Sequence, residues 1–175
     1  MTHLTRAALL IAALAAAGCT NGNRFDNDAS AGAGLNAGGG VDSGIIPGGA
    51  NDPASQAYFQ QTVGDRVFFQ VDQSTLTPEA RATLDGQAAW LQTNSDYLAV
   101  IEGHADEQGT REYNIALGAR RANAVRDYLI SRGIDAGRLR FVSYGKERPV
   151  EVCSEESCYA KNRRSVTVLA AGLTG

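Results

Sequence analysis

Two charged side chains, Asp106 and Arg121, have the types and spacing that could support chemistry. Asp106 lies in a short turn that follows a predicted strand, and Arg121 lies in a long helix predicted over residues 110–132. One face of that helix carries a row at four-residue spacing, which is Tyr113, Leu117, Arg121, Val125 and Leu129. Arg121 occupies a position where the helical period requires an apolar residue, so its guanidinium is expected to point toward the sheet. The pair could be a buried salt bridge or a receptor for a zwitterion.

The elements that must position this pair follow from the periodicity of apolar residues and from helix-capping signals. Thr77 followed by Pro78 is typical of a helix start, and Gly133 is expected to end the long helix as a left-handed cap. The predicted strands are residues 66–72, 97–102, 138–144 and 165–170, and the predicted helices are 54–62, 77–94 and 110–132, with a short turn at 159–163. This order requires two right-handed crossovers. It predicts an α/β sandwich whose mixed sheet has three parallel strands and a last, antiparallel strand.

Charge and composition limit the possible functions and divide the chain. The formal net charge of −3 argues against a nucleic-acid partner, which would require a basic patch or stripe. The 175 residues allow one domain with extensions, and glycine is concentrated in the first third of the chain. Residues 20–53 offer few apolar side chains to bury, so we predict a flexible linker over residues 19–53 with a reach of roughly 30 Å. The predicted domain is residues 54–175.

The first 18 residues have the pattern of a secretory signal peptide. An apolar run at 7–17 is too short to span a bilayer and ends at Ala16-Ala17-Gly18-Cys19. That ending resembles the lipobox of bacterial lipoproteins, which implies that Cys19 receives a diacylglycerol and an acyl chain. Thr20, in place of an aspartate, implies sorting to the outer membrane. The alternative is an ordinary cleavage site with an incidental cysteine.

Several residues outside the central pair have a structural interpretation. Cys153 and Cys158 are predicted to form a disulfide that closes a small loop, because the chain is predicted to be exported. A metal site that combines them with His104 and Asp106 is disfavoured, and no cofactor is predicted. His104 is expected to be structural. No Ser-His-Asp order, paired catalytic carboxylates or phosphate-binding glycine loop is present in the sequence, which therefore favours a protein without enzymatic activity. The sequence at 162–164 is expected to brace loops at one end of the sheet.

Several ordered motifs carry a resemblance to a known family. The pattern Asn114-x-x-Leu117-Gly118-x-x-Arg121-Ala122-x-x-Val125-x-x-x-Leu129 resembles the signature of OmpA-like peptidoglycan-binding domains. The segments GHADEQGT (103–110), VSYGKERP (142–149) and YAKNRRSV (159–166) are also similar to that family. Gly118 replaces a serine found in many members, a substitution common in the lipoprotein branch. The resemblance covers residues 66–168.

The resemblance implies an OmpA-like two-layer sandwich, βαβαβ(β), that binds the meso-diaminopimelate residue of the peptidoglycan peptide stem without catalysis. Asp106 would accept a hydrogen bond from the ligand ammonium, and Arg121 would hold Asp106 and pair with a ligand carboxylate. Asp72 would be a second acidic contact, and Leu117 would line the pocket. Backbone N–H groups of the 72–76 loop and of the helix start near Thr110 could add donors for an anion.

The lipoprotein branch further implies a location and a protein partner. The chain would be a lipid-anchored outer-membrane protein of a Gram-negative bacterium, with its domain in the periplasm, that links the membrane to the cell wall. Its second partner would be TolB, within the Tol system that acts in envelope integrity and cell division. The alternative is a periplasmic protein-docking module in which the Asp106–Arg121 pair is a purely structural salt bridge. A hydrolase that uses His104 is a weaker alternative.

Overall fold

The computed structural model describes residues 47–171 of the chain. The predicted signal peptide (1–18), the predicted lipidation site Cys19 and residues 19–46 of the predicted linker lie outside the described residues. Within residues 47–171, no helix combines the length and the apolar character needed to cross a membrane.

The described chain begins with turns that pack against the domain. The Asp52 carboxylate accepts hydrogen bonds from the backbone N–H groups of Gly48 and Ala54, at 2.9 and 3.0 Å. The Trp90 indole N–H donates to the carbonyl of Pro53 at 2.7 Å. The end of the predicted linker therefore contacts the domain at Pro53, whose carbonyl is the partner of a buried indole N–H.

The sheet contains the four predicted strands in the order β1-β4-β2-β3. The strands are β1 (Arg66–Phe68), β2 (Tyr97–His104), β3 (Leu139–Gly145) and β4 (Arg164–Ala171). β4 is antiparallel to both of its neighbours, β1 and β2, whereas β2 and β3 are parallel. The prediction of three parallel strands and one antiparallel strand is therefore confirmed.

The structure describes four α-helices, and the two longest pack against the sheet. The four helices are α1 (Gln56–Tyr58), which continues as a π-helical segment (Phe59–Gly64), α2 (Pro78–Thr93), α3 (Arg111–Ser131) and α4 (Glu156–Asn162). The Thr77 hydroxyl caps α2 by accepting from the Ala80 N–H at 3.2 Å, and Thr110 caps α3 through the Tyr113 N–H at 3.2 Å. Gly133 follows α3 with a φ of +94°, as the sequence predicted.

Two element boundaries beside the candidate site differ from the prediction by three residues or more. β1 ends at Phe68 rather than at residue 72, because the chain turns there: the Gln73 N–H donates to the Gln70 carbonyl, and Asp72 has a φ of +56°. α4 begins at Glu156, three residues before the predicted turn at 159–163. Both differences lie beside the candidate site described below.

The closest contact between the two layers is made by two glycines, Gly103 of β2 and Gly118 of α3. A Cβ atom on Gly103 would lie 1.9 Å from the carbonyl oxygen of Gly118. A Cβ atom on Gly118 would lie 2.4 Å from Ser143 Oγ and 2.8 Å from the Gly103 carbonyl oxygen. Glycine at both positions therefore lets α3 pack directly on the backbone of β2, next to the strand end that carries His104.

We expect Gly103→Ala to destabilise the domain, because the new methyl group would collide with backbone atoms that cannot rotate away. The expected loss in the free energy of unfolding is about 1–3 kcal/mol, measured by urea denaturation. Gly86→Ala, within α2, is the matched control, because a Cβ atom there would lie 3.7 Å from Val63 Cγ1, which is an ordinary contact distance. That control should raise stability by about 0.5–1 kcal/mol. Equal stability changes in the two variants would contradict the close contact.

Candidate functional site

A pocket of about 220 Å³ lies between the loop after β1 and the start of α3. Its lining residues are Val71, Asp72, Asp106, Gln108, Gly109, Tyr113, Asn114 and Leu117. Three of the residues singled out in the sequence, Asp72, Asp106 and Leu117, thus meet at one pocket. Arg121 is not among the lining residues and lies beneath the pocket, fully buried.

Asp106 is held by Arg163 and not by Arg121. Its Oδ2 atom lies 3.1 Å from Arg163 Nη1, and its Oδ1 atom accepts a hydrogen bond from the Gln108 N–H at 3.3 Å. The direct Asp106–Arg121 salt bridge expected from the sequence is therefore wrong. The physical reason is that Arg163, between α4 and β4, approaches the carboxylate from the strand ends, while Arg121 is occupied by backbone carbonyl groups.

The guanidinium of Arg121 joins the loop after β1 to the end of β2 through hydrogen bonds. Nε donates to the Gln73 carbonyl at 2.8 Å, Nη1 to the His104 carbonyl at 2.8 Å and Nη2 to the Gln70 carbonyl at 3.1 Å. Burial lowers the pKa of Arg121 to about 10, although the nearby Asp106 carboxylate opposes this shift. Arg121 therefore remains charged at neutral pH and joins the loop after β1 to the end of β2.

Asp72 and Tyr113 form the outer side of the pocket. Asp72 has the left-handed backbone conformation, which aspartate tolerates better than most residues, and its carboxylate accepts a hydrogen bond from the Tyr113 hydroxyl. This hydrogen bond raises the pKa of Tyr113. Tyr113 is 44% exposed, so the first member of the predicted apolar row lies at the pocket and not in the core. Leu117, the next member, is buried and provides an apolar floor.

Tyr113 and Asn114, in the first turn of α3, line the pocket. The first N–H groups of a helix have no partners within the helix, and they carry a partial positive charge that favours an anion. The loop that precedes this helix is fixed, because Lys146 Nζ donates to the carbonyls of Gly109 at 2.7 Å and Glu107 at 3.4 Å. Acidic side chains and a helix N-terminus therefore face the same small pocket.

His104, for which the sequence predicts a structural role, lies at the end of β2. It is buried and packs against Tyr144, with ring centroids 5.6 Å apart, and it does not line the pocket. Burial, and to a smaller extent the positive charges of Arg164 and Arg148, lower the pKa of His104 to about 4. Among the described residues, no group of three or more acidic, histidine or cysteine side chains is placed to hold a metal ion.

The predicted disulfide joins Cys153 to Cys158, whose Cα atoms are 6.0 Å apart. The loop that it closes leads into α4, and Glu156, the first residue of α4, binds Arg163. At the other end of α4, the Asn162 side chain accepts hydrogen bonds from the backbone N–H groups of Val150 and Glu151. This segment therefore braces the loops at one end of the sheet, as the sequence predicted.

Sequence reasoning missed several residues of the site. Arg163 was placed in the bracing segment but was not recognised as the partner of Asp106. The pocket-lining residues Val71, Gln108, Gly109 and Asn114 were also missed. The motifs GHADEQGT and Asn114-x-x-Leu117 already contain three of these four positions, so their clustering in the sequence was the available signal.

Comparisons with known proteins agree on one family. A profile of the OmpA family matches residues 68–163. The peptidoglycan-associated lipoprotein of Rhizobium meliloti is 53% identical over 160 residues, which cover 91% of this chain and 84% of the relative. The corresponding lipoprotein of Pseudomonas aeruginosa is 43% identical over 160 residues, covering 90% of this chain and 92% of the relative.

Solved structures give the same result for the fold. The crystal structure of the peptidoglycan-associated lipoprotein from Burkholderia pseudomallei superposes with a TM-score of 0.62 and 36% identity, covering 69% of this chain and 98% of that chain. The C-terminal domain of Helicobacter pylori MotB superposes with a TM-score of 0.58 at 21% identity, covering 62% of this chain and 86% of that chain. The likeness to MotB supports the fold alone.

The buried His104 should make folding stability depend on pH. Above a pH of about 6.5 the imidazole is neutral in both the folded and the unfolded protein. As the pH falls toward 4, the unfolded chain binds a proton that the folded chain does not. The contribution of His104 should therefore fall by an amount on the order of 3 kcal/mol between these pH values and then level off.

The measurement is urea denaturation at a series of pH values, for the unchanged protein and for His104→Phe, which cannot titrate. Carboxylates that titrate in the same range contribute to both curves, so the difference between the curves isolates the histidine. A constant difference across the range would contradict the shifted pKa.

Proposed function

The chain belongs to the OmpA family and, within it, to the peptidoglycan-associated lipoproteins, and we propose that its domain binds the meso-diaminopimelate residue of the peptidoglycan peptide stem. The observation that carries this proposal is the pocket in which Asp72 and Asp106 face the N-terminus of α3. The end of the diaminopimelate side chain carries both an ammonium and a carboxylate. Its receptor therefore needs a negative and a positive group at a fixed separation.

The pocket offers complementary groups for both charges. The ligand ammonium would donate hydrogen bonds to the carboxylates of Asp72 and Asp106, and charge-assisted hydrogen bonds of this kind are among the stronger ones in proteins. The ligand carboxylate would accept from N–H groups at the start of α3 that the Thr110 cap leaves without a partner. The methylene groups of the ligand would pack on Leu117 and on the ring of Tyr113.

Arg121 would act in this proposal by supporting the pocket from below. Its buried charge fixes the loop that carries Asp72 and the strand end that precedes Asp106, through carbonyl groups of both segments. Its charge also lies close enough to interact with Asp106 and Asp72. We therefore propose that Arg121 contributes positive potential to the site and holds its shape, in place of the direct contact with the ligand carboxylate that the family resemblance suggested.

The wider role in this proposal is to tether the outer membrane to the cell wall. A lipid on Cys19 would hold the chain in the outer membrane, and the linker at 19–53 would let the domain at 54–175 reach peptidoglycan in the periplasm. TolB would be the protein partner, within the Tol-Pal system for envelope integrity and cell division. The names of the relatives, which are peptidoglycan-associated lipoproteins, and the sequence pattern of the N-terminus support the lipid anchor and the link to peptidoglycan. The TolB partner rests on the family resemblance alone.

Calorimetric titration with the tripeptide stem L-Ala-D-Glu-meso-diaminopimelate tests the proposal. The folded protein should bind this stem, and a stem that ends in lysine, which lacks the terminal carboxylate, should bind much more weakly. Asp106→Asn should weaken binding at least about tenfold, because it removes a charge-assisted contact while it keeps the shape of the side chain.

Asp127→Asn is the matched control for that substitution. Like Asp106→Asn, it removes one negative charge. Asp127 is an exposed residue of α3 that does not line the pocket, and its carboxylate lies 3.7 Å from Arg126. Its affinity for the stem should equal that of the unchanged protein. A folded domain that binds neither stem would refute the proposed function.

A further inference from the structure

Arg163 is shared by two carboxylates, and only one of them lines the pocket. Its Nη1 atom lies 3.1 Å from Asp106 Oδ2 and 3.4 Å from Glu156 Oε2, and its Nη2 atom donates to Glu156 Oε1. Its Nε atom donates to the Phe69 carbonyl at 3.3 Å. We call Glu156, Arg163 and Asp106 the ionic triad.

The three members of the ionic triad differ in their exposure to solvent. The side chains of Arg163 and Asp106 are 5% and 10% exposed, whereas the Glu156 side chain is 65% exposed. Burial opposes the charge of Arg163, but hydrogen bonds to Glu156 and Asp106 raise its pKa above the ordinary value. The same contact with Arg163 lowers the pKa of Glu156. Arg163 and Glu156 are therefore charged at neutral pH.

The charge of Glu156 changes the net charge of the ionic triad, beside which the ligand ammonium would bind. With all three groups ionised, the ionic triad has a net charge of −1, because two carboxylates surround one guanidinium. Without Glu156, the charge of Arg163 would be balanced by Asp106 alone, and the net charge would be zero. An ammonium bound at Asp106 would then be repelled by Arg163 with one carboxylate fewer to offset the repulsion.

Glu156 is held in place by the disulfide. It lies between Cys153 and Cys158 in the sequence and begins α4, a helix of seven residues that is too short to be stable by itself. The disulfide closes the loop at the start of α4, and Asn162 fixes the helix end through a hydrogen bond to Glu107 at 2.7 Å. The position of Glu156 beside Arg163 therefore depends on the closed loop.

From these contacts we infer that Glu156, positioned by the Cys153–Cys158 disulfide, sets the affinity of the pocket for the ammonium of its ligand, although it does not line the pocket. Glu156 is a positioning residue that acts through Arg163 on Asp106. The inference rests on the proposed function, since it assumes that an ammonium group binds at Asp106.

The test compares Glu156→Gln with the unchanged full chain by calorimetric titration with the meso-diaminopimelate tripeptide. We expect roughly fivefold weaker binding, the upper range for an interaction with a solvent-exposed charge. The ratio of the two affinities should shrink as salt is raised from about 0.01 M to about 1 M, because the effect is electrostatic. A purely structural role would leave this ratio independent of salt.

Glu155→Gln is the matched control, because it removes the same charge from the neighbouring residue, which is exposed and makes no side-chain capping hydrogen bond. It should bind the stem as the unchanged chain does. The double variant Cys153→Ser, Cys158→Ser should lose as much affinity as Glu156→Gln. Adding Glu156→Gln to that double variant should cause no further loss, since both changes remove the same interaction.

Each outcome has a defined meaning. If the unchanged chain binds the stem and Glu156→Gln binds it equally well, the inference is wrong and the proposed function stands. A salt-independent loss, or additive losses in the triple variant, would also overturn the inference. If the unchanged, folded chain does not bind the stem, the proposed function fails and the inference fails with it. Circular dichroism of each variant establishes that it is folded.

Discussion

The buried guanidinium of Arg121 is the interaction on which the binding end of this domain depends. Moving a charge from water into a protein interior costs several kcal/mol, so it must be offset by well-placed partners. Arg121 finds them in three backbone carbonyl groups, two in the loop after β1 and one at the end of β2. Those segments lead into Asp72 and Asp106, so one buried charge fixes the relative position of both acidic residues. The pocket is therefore formed before a ligand arrives, which reduces the entropy that binding must overcome.

Two arginines, Arg121 and Arg163, have different structural roles at this site. Arg121 supports the backbone from beneath the pocket, while Arg163 holds the Asp106 carboxylate from the side of the strand ends. Their positive charges oppose each other, and the repulsion contributes to the lowered pKa of Arg121. Asp106 stabilises both, which explains how two largely buried guanidinium groups can lie at the same end of the sheet. The arrangement links the pocket, through Arg163, to a disulfide-closed loop that lies outside it.

Most of the fold followed from the sequence because its signals are local. Thr77 with Pro78, Thr110 and Gly133 act on the residues beside them, so the ends of the two long helices were predicted within a residue or two. The site was harder, because its contacts join distant parts of the chain. Asp106 was named from its position in the turn after a strand, and Asp72 and Leu117 were named from the family resemblance. The structure places all three at one pocket. The predicted partner of Asp106, Arg121, was wrong, since no local pattern indicates that this carboxylate contacts an arginine 57 residues later in the chain. The helical spacing of apolar residues in α3 likewise could not indicate that Tyr113 lies at the pocket and outside the core.

The most direct test of this account is a crystal structure of the protein with the meso-diaminopimelate tripeptide. We predict that the ligand ammonium lies within hydrogen-bonding distance of the carboxylates of Asp72 and Asp106. The ligand carboxylate should meet the N–H groups at the start of α3, with Arg121 still bound to the carbonyls of Gln70 and His104. A stem bound at another surface, or bound in this pocket with its carboxylate toward Asp106, would contradict the account.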